Sequence, residues 1–226
     1  MLLEVIAETV EDAQEAEQGG AGRIELVREL SRGGLTPPQA LVEAVVKAVR
    51  IPVRVMIRET EPFEVTDIAE LARLRVAARQ AIDGGAAGLV LGFLRHGGPD
   101  LDAVREVLGS SNAPVTFHRA FDESGPPREA LAALSSEARV DRVLTFGGAG
   151  DWPSRLARLK ALRRAAPPHL TILPGAGLDE GALRDLARDG FPEAHVGRAA
   201  RIPSGHEGRV RASRVAELVA VVRYLA

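Results

Sequence analysis

Charged and protonatable side chains interrupt several short runs that otherwise read as buried β-strands. Glu4 lies inside Leu2–Ile6, and Arg23 and Glu25 alternate with Ile24 and Leu26. Arg54 and Arg58 alternate with Val53, Val55 and Ile57; Thr116 and His118 alternate with Val115 and Phe117, with Arg119 following directly. Successive strand residues point to opposite faces, so each run has one apolar face and one that carries charge. A carboxylate, an imidazole and guanidinium groups brought together can move a proton and hold an anion. Glu25 and His118 are the candidates for proton exchange, Arg58 and Arg198 for holding the anion, and Glu4 for orienting its neighbours. A structural reading stands beside this one, in which Glu4, Arg23, Glu25 and Arg54 neutralise one another. Buried ion pairs rarely add net stability over apolar substitutes, so several in one core call for a reason.

Two further segments belong with these residues. Pro174-Gly175-Ala176-Gly177 and His195-Val196-Gly197-Arg198 each follow or close a short apolar run near the C-terminal end. Backbone N–H groups in such glycine turns can cradle a phosphate, with Gly175 and Gly177 letting the ligand approach closely. Tight turns that need glycine for conformational reasons explain the same residues. Other constellations are missing. His96, His118, His169, His195 and His206 show no HxxxH or HExxH spacing, and there is no GxSxG elbow or P-loop. His118 and His195 are metal ligands only if a site without thiolates exists.

The elements that must carry these side chains alternate along the whole chain. Strands are predicted at Leu2–Ile6, Arg23–Leu26, Val53–Ile57, Gly88–Leu91, Val115–His118, Arg142–Leu144, Thr171–Leu173 and Ala194–Val196. Helices are predicted at Val10–Gln18, Pro38–Val49, Asp67–Asp83, Leu101–Leu108, Arg128–Ser136, Pro153–Ala165, Glu180–Arg188 and Ala212–Leu225. Pro37-Pro38 opens one helix, and Gly19-Gly20 and Gly84-Gly85 stop two others. Strict β–α alternation calls for a parallel sheet with right-handed crossovers. Eight such units closing on themselves give an α/β, single-domain (β/α)8 TIM barrel over residues 1–226. A doubly wound open sheet is the alternative, but its glycine fingerprint is missing after the first strand. In a barrel the apolar strand faces meet the helices, the charged faces point inward, and the strand ends form the mouth where active sites sit.

Composition removes several classes of function. The 226 residues carry a net charge of -2 and only 4% aromatic residues, which gives no footing for nucleic acid or an anionic membrane. With no cysteine, a disulfide scaffold, a thiolate metal site and a cysteine nucleophile are all excluded. The start MLLEVIAETVEDAQ lacks a basic leader region, and no apolar stretch approaches the ~20 residues that span a bilayer. A cytoplasmic protein is expected.

Arg23-Ile24-Glu25-Leu26, Gly33-Gly34-Leu35-Thr36-Pro37, Met56-Ile57-Arg58 and Thr116-Phe117-His118-Arg119-Ala120-Phe121-Asp122 resemble the copper homeostasis protein CutC family in order and spacing. Arg142-Val143-Leu144-Thr145 with Gly147-Gly148, Gly175-Ala176-Gly177 and His195 extend the resemblance over nearly the whole chain. It implies a TIM barrel, cytoplasmic location, a homo-oligomer and a link to copper tolerance and copper binding. It also implies that Glu4, Glu25, Arg58, His118 and His195 line a polar pocket. Relatives often carry cysteines, their proposed Cu(I) ligands, at the end of strand one and just after the RIEL strand. Here those positions hold Ile6 or Ala7, and Val27, and only Met1 and Met56 offer sulfur. Two functions follow: a copper-homeostasis protein that takes copper as its ligand, or a barrel enzyme or sensor for a small anionic metabolite, phosphorylated ones included.

Overall fold

The computed structural model describes residues 1–223. Its eight main strands are β1 (Leu2–Ala7), β2 (Arg23–Leu26), β3 (Val53–Met56), β4 (Gly88–Leu91), β5 (Val115–Phe117), β6 (Val140–Thr145), β7 (Thr171–Pro174) and β8 (Glu193–Val196). All ladder pairs between them are parallel, in the order β8-β1-β2-β3-β4-β5-β6-β7. β7 and β8 also touch, so the sheet comes round on itself. Outside it lie α1 (Val10–Gln18), α2 (Gln39–Ala48), α3 (Ile68–Asp83), α4 (Leu101–Leu108), α5 (Pro127–Leu134), α6 (Trp152–Ala165), α7 (Glu180–Arg188) and α8 (Ala212–Arg223). This is the expected (β/α)8 barrel. Tyr224 and Leu225, the end of the expected last helix, lie outside the described residues.

Differences from expectation are confined to element ends. Pro38 is the N-cap of α2 rather than its first residue, because its ψ of 145° keeps it extended. His118 leaves β5 to cap a short 3₁₀ turn, Arg119–Glu123. β8 begins at Glu193, and β6 runs two residues further toward the N-terminus than its apolar stretch suggests. Five helices start at a Thr or Asp whose side chain accepts the N–H three residues on, at Thr9, Asp67, Asp100, Asp151 and Asp179.

Alternation along the strands sorts the core into two regions. Val5, Ile24, Val55, Leu89, Val143 and Ile172 face outward into the apolar layer shared with the helices. Facing inward are Glu4, Arg23, Glu25, Arg54 and Thr116, all buried. A second, smaller apolar cluster of Ile6, Val27, Leu30, Met56 and Val90 is separate from that layer.

Asp12 on α1 ties down the segment after β8. Its carboxylate accepts from Val210 N at 3.0 Å, Arg201 at 3.1 Å and Glu8 N at 3.2 Å. The Asp12→Ala variant leaves a buried N–H and a buried guanidinium short of partners. It is expected to lose about 2–4 kcal/mol in a urea denaturation, against about 0.5 kcal/mol or less for an ordinary surface change.

Candidate functional site: a proton-sharing pocket at the barrel mouth

Register places the first members of the site. Glu4 is paired on one side with His195 and on the other with Arg23. Glu25 is paired with Ile6 on one side and Arg54 on the other. Ring closure therefore brings a β8 histidine against a β1 glutamate 191 residues away, where His195 Nδ1 lies 2.7 Å from Glu4 Oε1. His195 Nε2 stands 3.6 Å from Glu25 Oε2.

These groups end a chain of alternating charge that crosses the barrel interior. Arg54 grips Asp141 with two hydrogen bonds of 2.7 and 2.6 Å and also donates to Thr116. Arg142 bonds Asp141 and reaches Glu193 at 2.7 and 2.8 Å. Arg23 bridges Glu193, at 2.6 Å, to Glu4. Three arginines (23, 54, 142) thus meet four carboxylates (4, 25, 141, 193), and one proton held by Glu25 and His195 balances the set.

The surroundings of each group agree with that count. Burial opposes ionisation of Glu4, but the hydrogen bond to His195 and the Arg23 charge outweigh it and hold the carboxyl at about 2. Burial pushes Glu25 up to about 7; the His195 charge works against that rise and the Glu4 charge adds to it. Burial works to lower the His195 imidazolium, yet Glu25 and Glu4 raise it above its ordinary value. Glu4 stays ionised, and the proton belongs to the Glu25–His195 pair.

His118 is set up differently. Its Nδ1 accepts from Ala120 N at 3.2 Å, so its one proton sits on Nε2. Burial, then the neighbouring Arg58 and Arg119 charges, drive it down to about 3, so it is a neutral N–H donor. Phe63 packs against its ring with centroids 5.0 Å apart. His118 Nε2 and Glu25 Oε1 are both buried and have no hydrogen-bond partner among the described residues.

Both residues line a cavity of about 420 Å³ at the barrel mouth. Arg119, Gly175, Gly177, His195 and Arg198 line it as well, so seven of the ten residues singled out from sequence share one wall. The other three stand behind it. Glu4 backs His195, and Arg23 is deeper, between Glu4 and Glu193. Arg58 donates to the carbonyls of Gly33, Gly34 and Glu61, clasping two loops from behind. The turn after β7 has steric reasons for its glycines. A Cβ on Gly175 would lie 2.6 Å from Leu144 and 3.3 Å from the His195 ring, and Gly177 has φ +68°.

Asp122, Thr145, Phe146 and His206 also line the cavity and were not picked out by sequence. Asp122 accepts from the Thr145 hydroxyl and from Phe146 N, and burial raises it to about 6 against those bonds. The sequence signal for it was its place four residues after His118, which the 3₁₀ turn brings round to the same opening. Asp141 and Glu193 were missed because each falls at an end where the apolar run gave no strand.

Fold and site together define a (β/α)8 barrel whose C-terminal mouth carries a polar pocket on an interior ion network. Comparison with known proteins narrows the class. The chain belongs to the CutC family, whose model matches residues 1–200. It is 39% identical to a CutC family protein of Xanthomonas axonopodis pv. citri over 91% of this chain and 88% of that one. It is 36% identical to the human copper homeostasis protein cutC homolog, over 92% of this chain and 77% of the relative. A solved structure assigned as copper homeostasis protein CutC of Streptococcus agalactiae superposes with a TM-score of 0.80 at 25% identity, covering 87% of this chain and 98% of that one.

The residues present do not fit a thiolate copper centre. There is no cysteine, and among the described residues no three His, Asp or Glu side chains are grouped to hold an ion. Of the positions where the resemblance puts thiols, Ile6 or Ala7 and Val27, Ile6 and Val27 form an apolar patch with Leu30, Met56 and Val90, and Ala7 lies in the main apolar core. His195 Nδ1 is bonded to Glu4, and His118 Nδ1 is bonded to Ala120 N. Among the described residues no helix is long and apolar enough to cross a membrane.

Proposed function

We propose that this CutC-family chain serves copper homeostasis in the cytoplasm through its mouth pocket, and that the pocket's ligand is a small anionic molecule. The family and the names of its relatives support the physiological role. The ligand class rests on one observation. Arg119 and Arg198 are exposed on the cavity rim without a carboxylate partner among the described residues, whereas the interior arginines 23, 54 and 142 are each paired. Two uncompensated guanidinium groups over a cavity attract an anion and give it fixed donors.

Thermal denaturation and calorimetry on untagged protein test this, with inorganic phosphate, small phosphorylated and carboxylate metabolites, Cu(I) and Cu(II) as probes. At least one anion is expected to stabilise the fold. A charge-assisted hydrogen bond is worth about 1.5–3 kcal/mol, so Arg119→Ala and Arg198→Ala should each weaken that anion roughly ten- to a hundredfold. Copper bound near stoichiometry, and lost in His118→Ala or His195→Ala, would overturn the ligand class. In a host lacking the protein, wild type should restore copper tolerance and the double arginine variant should not. Full rescue by that variant would detach the pocket from the physiological role.

A further inference from the structure

The pocket's residue types restrict what it can do to a ligand. Schiff-base chemistry needs a lysine, and the only two, Lys47 and Lys160, lie on outer helices, with Lys160 paired to Asp189. Thiolate attack is closed to a chain without cysteine. The Thr145 hydroxyl donates to Asp122 and accepts from Gly147 N. Among the residues that line the cavity are a buried carboxylate, Glu25, and a buried neutral imidazole, His118, and among the described residues Glu25 Oε1 and the His118 Nε2–H have no hydrogen-bond partner. Each is an unmet hydrogen-bonding group in a core, which costs stability unless a ligand meets it.

The two groups are complementary in sign. The His118 proton is fixed on Nε2 by the bond from Ala120 N to Nδ1, so this side chain donates to an oxygen and does not deliver a proton to it. A neutral donor of this kind stabilises an oxyanion as it forms. Glu25 faces His195 from β8, Glu4 from β1 and Arg23 on its own β2, and its register neighbour on β3 is Arg54, whose guanidinium is held by Asp141 and Thr116. With His195 Nε2 3.6 Å away, Glu25 can give up its proton to the neighbour and regain it without leaving an isolated charge in the core.

We propose that the pocket catalyses reversible proton removal from the carbon next to a carbonyl group in a small anionic carbonyl compound, with Glu25 as the base and His118 as the donor to the enolate oxygen. This deepens the anion reading given above and rests on it. Glu25 takes the proton from carbon, the C–H electron pair becomes the C=C bond, and the carbonyl π pair moves onto oxygen. The Nε2–H of His118 bonds that oxygen, and Glu25 then returns the proton to carbon. No oxidant, reductant or co-substrate is needed. Arg119 and Arg198 hold the anionic end, and His195, held by Glu4, is a positioning residue that shares the base's proton.

The test is deuterium exchange followed by proton NMR, with dihydroxyacetone phosphate, pyruvate and 2-oxoglutarate as probes, run beside thermal denaturation with the same compounds. A probe that stabilises the protein should lose its α-proton signal about a hundredfold faster than in buffer alone. Glu25→Gln should abolish that exchange while the probe still stabilises the fold. His118→Gln, which leaves the ion network intact, should slow it roughly a hundredfold with binding retained. The exchange rate should rise with pH as the Glu25–His195 pair gives up its shared proton, and Glu25→Gln, prepared identically, controls for contaminating enzymes. Stabilisation by a probe with exchange only at the buffer rate overturns this proposal and leaves the anion reading standing. Exchange that survives in Glu25→Gln also overturns it. If none of the three stabilises the protein or exchanges faster than in buffer, the proposal fails for carbonyl anions, and the wider anion panel decides the reading beneath it.

Discussion

Glu193→Ala is expected to lower the unfolding free energy by about 3–5 kcal/mol, the cost of breaking a buried ion pair by deleting one partner. Glu193 accepts from Arg23 at 2.6 Å and from Arg142 at 2.7 and 2.8 Å, so one deletion leaves two buried guanidinium groups short of charge. Neither can respond by losing its proton. A guanidinium stays charged in proteins, and Glu4 for Arg23 and Asp141 for Arg142 still favour the charged form when Glu193 is gone. Domains of this kind are stable by about 5–15 kcal/mol, so the variant gives up roughly a fifth or more of the total. The measurement is a urea midpoint at unchanged slope. Arg142→Leu combined with Glu193→Leu should cost less than Glu193→Ala alone. That pair removes equal and opposite charges, leaving Arg23 with Glu4 and Arg54 with Asp141. A Glu193→Ala midpoint indistinguishable from wild type would mean that water already reaches this network.

The second large effect is a stability crest on the acid side of neutrality. Glu4 and Glu193 are held near 2 in the fold: burial opposes ionisation of each, and bonded cationic partners outweigh it. Unfolded, each has the ordinary value of 4.5. The unfolded chain therefore takes up these protons first as pH falls, and stability present above 4.5 is lost between 4.5 and about 2. His118 acts in the same direction from 6.5 down to about 3, because burial keeps it neutral in the fold. Glu25 acts oppositely. Burial raises it from 4.5 to about 7, so the fold holds an extra proton in that interval and loses the benefit as pH rises through it. Asp122, raised from 3.8 to about 6, adds to that trend, and His195, raised above 6.5 by Glu25 and Glu4 against its burial, acts in the same sense. Each such group changes the folding constant roughly tenfold per pH unit inside its window. Denaturant midpoints at about pH 3.5, 5.5 and 8.5 should be highest at the middle value, and Glu25→Gln should flatten the alkaline limb. A midpoint that climbs steadily from the acid to the alkaline end would refute this assignment of the protons.

The sequence carried the barrel because its signals are local. Alternating β-branched runs and capped amphipathic stretches fix element type, and strict alternation leaves parallel closure as the economical packing. Period two also fixes which side chains share a face, and Glu4, Arg23, Glu25, Arg54 and Thr116, set on the polar face by that period, are all buried in the barrel interior. The lack of cysteine was equally plain, and with it the mismatch to a thiolate copper centre. Depth along the barrel and the identity of each partner were not legible. These depend on strand register and ring closure, which bring together residues as distant in sequence as Arg54 and Asp141, or Glu4 and His195. For that reason sequence could not separate Glu25 and His118, which line the cavity, from Arg23 and Arg58, which stand behind it and donate to Glu4, Glu193 and loop carbonyls. Face is a property of two neighbouring residues and can be read from them; partnership is a property of the closed ring, and only the tertiary structure decides it.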